Sequence, residues 1–188
     1  MRVGKIVKGA VFNGFEQFVT ERFGLSQWQQ LLDKSNFTTA GIYLASDFYD
    51  DNELVTLITL LCQAQHIELP EALRDFGYYF FDILYRKIPP APADQTLFDF
   101  LRSVDKVIHV QVKKTDPQAY TPALFYDSPD DKTILLRYVS QRKLCFFAEG
   151  LILGAAQTFN TPVDVTQTSC QHQGDKDCII KVELCQQN

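Results

Sequence analysis

The apolar residues of this chain change their period near residue 120, and that change constrains the fold more than any single motif does. Val11, Phe12, Phe15, Phe18, Val19 and Phe23 recur at spacings of three and four, which draws one apolar stripe along a helix ending near Gly24. Ser26 reads as the cap of a second helix carrying Trp28, Leu31 and Leu32, with Gln29 at the capping-box position. Residues 35–50 are rich in Thr, Ser, Asp and Gly and read as a connector containing Tyr43 and Phe48. Leu54, Leu57, Ile58 and Leu61 mark a third helix, and Pro70 stands where a helix start tolerates a missing N–H. The stretch EALRDFGYYFFDILYR is almost continuously apolar and reads as a central helix buried on several sides. Pro89, Pro90 and Pro92 then break the pattern, and Thr96 with Asp99 gives the capping signature of a short helix through Leu101 and Val104.

The segment DKVIHVQVKK fits two periods at once. Ile108, Val110 and Val112 alternate as in a strand, whereas Val104, Ile108 and Val112 recur at four as in a helix. Beyond residue 120 the strand pattern dominates. LFYD, the turn-prone SPDD and TILLRYVS read as one hairpin, and VDVTQTSCQ, a polar turn at Gly174-Asp175 and CIIKVEL as a second. Between them Leu144, Phe147, Leu151 and Ala155 return to a helical stripe. The class expected is α+β: a helical N-terminal lobe packed on a C-terminal lobe with a four-stranded antiparallel sheet and an inserted helix. No repeat or low-complexity linker divides the 188 residues, so one domain is expected over 1–188.

The formal net charge of −5 argues against a broad nucleic-acid surface, which needs clustered Lys and Arg facing phosphates. No apolar run approaches the roughly 20 residues that cross a bilayer, and the first residues lack a signal-peptide pattern, so no membrane partner and a cytoplasmic address are expected. Five cysteines in a reducing compartment read as buried thiols, a metal cluster or redox-sensitive groups sooner than as a disulfide framework. Fifteen Phe and eight Tyr stand against one Trp and one Met, an aromatic excess that raises the question of a flat object for the rings to surround. No catalytic triad, paired-carboxylate site or nucleotide loop is present in the sequence, and no enzymatic activity is expected.

Of three histidines, His66 follows a helix end, where a cation complements the helix dipole, and reads as structural. His172 lies near the second hairpin turn, within reach of metal chemistry. His109 is a polar ring among Val107, Ile108, Val110 and Val112. Two readings of it stand: a core histidine satisfied by a backbone carbonyl, or an axial ligand, because neutral imidazole binds iron and low polarity suits a buried cofactor. On a strand, Tyr138, Ser140 and Arg142 would project to one face, converging two hydroxyls and a guanidinium fork that suit a pair of carboxylates such as haem propionates. The alternative there is a solvated strand face.

With KGAVFN at 8–13, DFGYYF at 75–80, DFLRSVDKVIHVQV at 99–112, YVSQR at 138–142, LCFFAEGLILGAAQTF at 144–159 and the final TQTSC with GDKDC, the chain resembles the haem nitric oxide/oxygen-binding (H-NOX) domains, relatives of the haem domain of soluble guanylate cyclase. The resemblance spans nearly the whole sequence. It implies a helical part over about 8–114, a sheet-containing part over about 115–188, haem b between the lobes, and residues 1–7 as an N-terminal extension. It makes His109 the proximal iron ligand on a helix, Tyr138, Ser140 and Arg142 the propionate grip, and Pro122 the residue packed on the macrocycle. Phe147 matches the distal position at which oxygen-binding members carry a tyrosine, with Val11, Phe12 and Leu151 also at the cofactor. Binding of nitric oxide and carbon monoxide without stable oxygenation follows from that phenylalanine.

The resemblance further implies zinc held by Cys145, Cys170 and Cys178. Gln167 stands where bacterial relatives supply histidine, leaving His172 or Cys185 as substitutes. The function expected is a haem-based nitric oxide sensor. Loss of the iron–His109 bond would shift the lobes, and the change would be read by a histidine kinase or a cyclic-di-GMP enzyme. The alternative is a cysteine- or zinc-based redox regulator with haem in a secondary role.

Overall fold

Helices form where the apolar stripe keeps its period of three and four. The computed structural model describes residues 6–90 and 92–185. In the N-terminal part, β1 (Ile6–Lys8) leads into α1 (Gly9–Phe23) and α2 (Leu25–Ser35), and β2 (Phe48–Asp50) leads into α3 (Asp51–Gln65) and α4 (Leu69–Tyr85). The chain divides into two compact units between Phe76 and Gly77, inside α4.

The core of the first unit is aromatic. Phe12, Phe15, Phe18, Trp28 and Phe76 are buried with Leu31, Leu57, Ile58 and Leu61. Phe15 meets Phe76 edge-on at 5.1 Å between centroids and Phe12 stacks on Tyr43 at 4.0 Å. Each such ring contributes roughly 1.5–3 kcal/mol by leaving water. Three features differ from the sequence reading. Ser26 does not cap α2; Gly24, at φ 89°, serves both as C-cap of α1 and N-cap of α2, so the helices abut and Ser26 lies exposed in the first turn. The connector holds a strand, since β2 pairs antiparallel with β1 with Val7 opposite Tyr49. The extension expected at 1–7 lies partly outside the described residues, and its last two, Ile6 and Val7, belong to β1. α3 begins as its pattern predicts, with the Asp50 carboxylate accepting from the Asn52 N–H.

α4 is buried along one face only. Ala72, Leu73, Phe76, Phe80 and Phe81 are covered, whereas Tyr78 and Leu84 are exposed. A continuous apolar run therefore overstated its burial, because aromatic residues also occupy its solvent side.

The second unit continues from Gly77 through α5 (Leu97–Ser103), a π-helical turn (Val104–His109) and α6 (Val110–Thr115). Then come β3 (Ala123–Asp130), β4 (Thr133–Val139), α7 (Cys145–Thr158), β5 (Val163–Ser169) and β6 (Cys178–Leu184). The strands form an antiparallel sheet in the order β3-β4-β6-β5, with α7 inserted between the hairpins. Thr96 and Asp99 make the expected capping box at α5. The central strands alternate: Ile134, Leu136 and Tyr138 are buried opposite Val182, Ile180 and Cys178, while Arg137 faces out. Ile152, Ala155 and Ala156 of α7 join those residues in one core. The SPDD turn is tighter than its composition predicts. β3 runs to Asp130 with a register shift between Asp127 and Asp130, which lets the edge strand accommodate Pro129 and leaves Asp131-Lys132 to turn.

Candidate functional site

His109 ends the π-helical turn, and no strand forms in this segment. The segment that fitted both periods is helical with the wider turn of a π-helix, and such turns recur at functional positions. The imidazole is largely buried, its side chain 16% exposed. Its Nδ1 lies 3.3 Å from the Asp105 Oδ1, and the Pro122 carbonyl also accepts from the ring. Burial holds the His109 pKa below its ordinary value, against the opposing pull of Asp105. A carboxylate only accepts, so Nδ1 carries the proton and Nε2 keeps a lone pair, the form in which imidazole ligates a metal.

Tyr138 lies on β4, but the strand ends at Val139, so strand alternation places Tyr138 and not Arg142. The group is drawn together by hydrogen bonds and a turn instead. The Tyr138 hydroxyl bonds to the Ser140 side chain and to the backbone of Leu144, and burial pushes its pKa up to about 12, so it remains a donor at neutral pH. Ser140 is buried, and its Oγ accepts from the Arg142 N–H at 3.1 Å. The Arg142 guanidinium lies 4.9 Å from the centroid of the Tyr120 ring, whose hydroxyl accepts from the Gln141 N–H at 2.9 Å. The segment Tyr120–Pro122 therefore touches both groups, with its Tyr120 ring under Arg142 and its Pro122 carbonyl at His109. Between them the Thr121 hydroxyl is buried and has no hydrogen-bond partner among the described residues.

Phe147 and Leu151 lie on α7 where it passes α4, the Phe147 ring 6.1 Å from that of Phe80. Phe12 is fully buried in the aromatic group of the first unit, where Val11 is half-buried. Asp105, Tyr120 and Thr121 carried no weight in the sequence reading. A signal for Asp105 was available: a carboxylate four residues before a helical histidine stands where the two side chains can meet.

A second constellation is made of sulfur. Cys145 at the start of α7, Cys170 just after β5 and Cys178 at the start of β6 bring three buried Sγ atoms within 4.8 Å of one another. Cys145 and Cys170 are 3.8 Å apart. Burial raises the thiol pKa values of Cys145 and Cys178, and the Gln171 N–H donates to the Cys178 sulfur at 3.3 Å. The Gln167 side chain faces Cys145, and its buried amide atoms have no oxygen or nitrogen partner among the described residues. Neither expected substitute joins this group. His172 Nε2 donates to the Lys143 carbonyl at 2.7 Å and its ring stacks on Phe146. Cys185 follows the far end of β6, about 20 Å along the strand from Cys178 at the usual rise per residue.

The haem-NO-binding family matches residues 8–167. The chain belongs to that family. This haem-NO-binding chain is similar to an H-NOX protein from Shewanella oneidensis solved in an Fe(II)NO state, at 28% identity and a TM-score of 0.85 over 96% of this chain and 100% of that one. A triple mutant of that organism's H-NOX protein in its Fe(II) state matches at 28% identity and a TM-score of 0.85, over 97% of this chain and 98% of that one. An unliganded Fe(II) H-NOX protein from K. algicida shares the fold at 21% identity, with a TM-score of 0.86 over 96% of this chain and 98% of the other. Soluble guanylate cyclase gcy-35 of Caenorhabditis elegans is 26% identical over 142 residues, which cover 71% of this chain and 20% of that protein. The haem-NO-binding chain thus spans about a fifth of the length of that relative. Among the described residues, no helix is long and apolar enough to cross a membrane.

Proposed function

We propose that this chain senses nitric oxide through haem b held by His109 and relays the event to a separate partner. The observation that carries this reading is the neutral His109, its Nδ1–H directed at Asp105 and its Nε2 left as the lone-pair nitrogen. Three further features fit the cofactor: two buried hydroxyls and an arginine gathered within five residues, the unpartnered Thr121 hydroxyl beside them, and one short segment that touches both groups.

When bound, haem would supply an iron able to take nitric oxide or carbon monoxide, with His109 as the residue that would hold it. His109 gives its Nε2 lone pair. Tyr138, Ser140 and Arg142 hydrogen-bond the propionates, with the guanidinium adding charge. Pro122 packs on the macrocycle. Phe147 and Leu151 would supply apolar walls, and neither side chain carries a hydrogen-bond donor, which suits nitric oxide better than dioxygen. His109 both ends the π-helical turn and precedes α6, so a shift of its ring pulls on both elements, a two-state change that a partner can read. That partner is a histidine kinase or a cyclic-di-GMP enzyme acting in the cytoplasm.

The same reading assigns zinc to Cys145, Cys170 and Cys178, whose thiol chemistry suits it, with the Gln167 amide in place of a histidine. The 3.8 Å approach of Cys145 to Cys170 also favours a second reading, in which these thiols respond to oxidation.

The test is the visible absorption spectrum of reduced protein produced with ample haem, with and without nitric oxide and again in air. A Soret band that shifts with nitric oxide, and no stable oxygenated form, is expected. A colourless protein would overturn the haem reading, and a stable oxygenated form would overturn the selectivity.

A further inference from the structure

One oxygen of Asp105 serves two elements. Its Oδ1 lies 3.3 Å from the His109 Nδ1 and accepts the Leu124 backbone N–H at 3.4 Å. Leu124 is the second residue of β3 and stands directly opposite Tyr138 on β4. A single carboxylate therefore joins the imidazole to the strand pair that carries Tyr138.

We propose that Asp105 is the positioning residue for His109, setting its tautomer, ring direction and donor strength toward iron while tying it to β3. The proposal rests on the haem reading and deepens it. Two acceptors reach the His109 ring, the Pro122 carbonyl and, at Nδ1, this carboxylate. They differ in charge. A carboxylate makes a charge-assisted hydrogen bond, roughly twice as strong as one to a neutral carbonyl, and it draws the ring toward imidazolate. A more imidazolate-like ring is a stronger donor at Nε2, as in the carboxylate–histidine pairs that support other metal ligands. The bond to Leu124 fixes the carboxylate itself, so the ring direction is set by the sheet as well as by the π-helical turn.

The experiment is resonance Raman spectroscopy of the reduced, haem-loaded protein, read at the iron–imidazole stretch. Asp105→Asn keeps the shape and an acceptor for Leu124 but removes the charge, and the stretch is expected to move to lower frequency. A second measurement does not depend on how that variant folds. In His109→Gly, imidazole supplied from solution retains an N–H for Asp105, whereas 1-methylimidazole has none. With Asp105 present, imidazole is expected to give the higher stretching frequency, and in His109→Gly/Asp105→Ala the gap between the two ligands is expected to shrink. A gap of the same size with and without the carboxylate, or an Asp105→Asn stretch identical to that of the wild type, would overturn the proposal. A wild type with no Soret band would instead overturn the haem reading beneath it.

Discussion

Gly77 and Gly150 bring α4 and α7 together backbone to backbone: a Cβ built on Gly77 would stand 3.1 Å from the Gly150 Cα, with the Phe147 carbonyl oxygen nearer still. Gly154 repeats the pattern one turn on, facing Phe81 and the Tyr78 carbonyl. The glycines let the helix carrying Phe147 and Leu151 lie directly on its neighbour. Gly77→Ala gains about 1 kcal/mol in helix propensity, but it drives a methyl into backbone atoms that have no rotamer to change. Overpacking of this kind costs about 1–3 kcal/mol, so the clash is expected to win. Urea unfolding should show a lower midpoint at unchanged slope, and an unchanged or higher midpoint would mean that the helices separate without penalty.

The box at the start of α5 makes a pH-dependent contribution. Hydrogen bonds from Thr96 hold the Asp99 carboxyl below the usual carboxylate range. A depressed acid stabilises the fold fully above its unfolded pKa, near 3.8, and loses that contribution as pH falls through the lower folded value. Thr96→Ala is expected to cost about 1 kcal/mol at pH 7. Measured by thermal unfolding across acid pH, the difference between variant and parent should narrow below pH 3.8; a constant gap would remove Asp99 from the account.

Replacing His109 by Gly is expected to yield protein that loses most of its haem and regains it when imidazole is added, read as the Soret absorbance per protein. Haem retained at the parental level without imidazole would assign the ligand elsewhere.

Phe147→Tyr places a hydroxyl on the α7 wall. If that wall faces the bound gas, the reduced variant should hold an oxygenated spectrum in air for longer than the parent, because a donor now reaches the polar dioxygen. Equal lifetimes in stopped-flow absorption would place the ring in ordinary packing.

Gln167 faces Cys145 with an amide, a poor zinc ligand. Gln167→His supplies the fourth nitrogen that tetrahedral zinc prefers. The variant is expected to keep more zinc per chain through dialysis against a chelator than the parent, and Cys170→Ser less. Equal zinc in all three proteins would take the metal away from this cluster.

The parts of the fold that could be read from residues alone were those with a local cause. The stripe from Val11 to Phe23, the Thr96–Asp99 box and the alternation in TILLRYVS each act within one or two turns, and each produced the expected element. The start of α2 was misread because a serine is a stronger general signal than a glycine, yet only Gly24 could take the positive φ that joins two abutting helices. The β1–β2 pair was missed because its strands, Ile6–Lys8 and Phe48–Asp50, are three residues each, too short to show a period. The family motifs singled out His109, the Tyr138–Ser140–Arg142 group and the cysteines, but not what surrounds them.

The order of residues by itself determined the class, the two kinds of element and their sequence along the chain, because hydrophobic period, capping and turn chemistry act between near neighbours. Only the tertiary structure decided that Asp105 and the Pro122 carbonyl share the His109 ring, that Tyr120 lies under Arg142, and that three sulfurs from separate elements meet while His172 turns away to Lys143. Those relationships depend on strand register, on a π-helical turn and on which donor finds a buried acceptor first. Apart from the Asp105–His109 pair, each is a competition between residues distant in sequence, and only packing settles it.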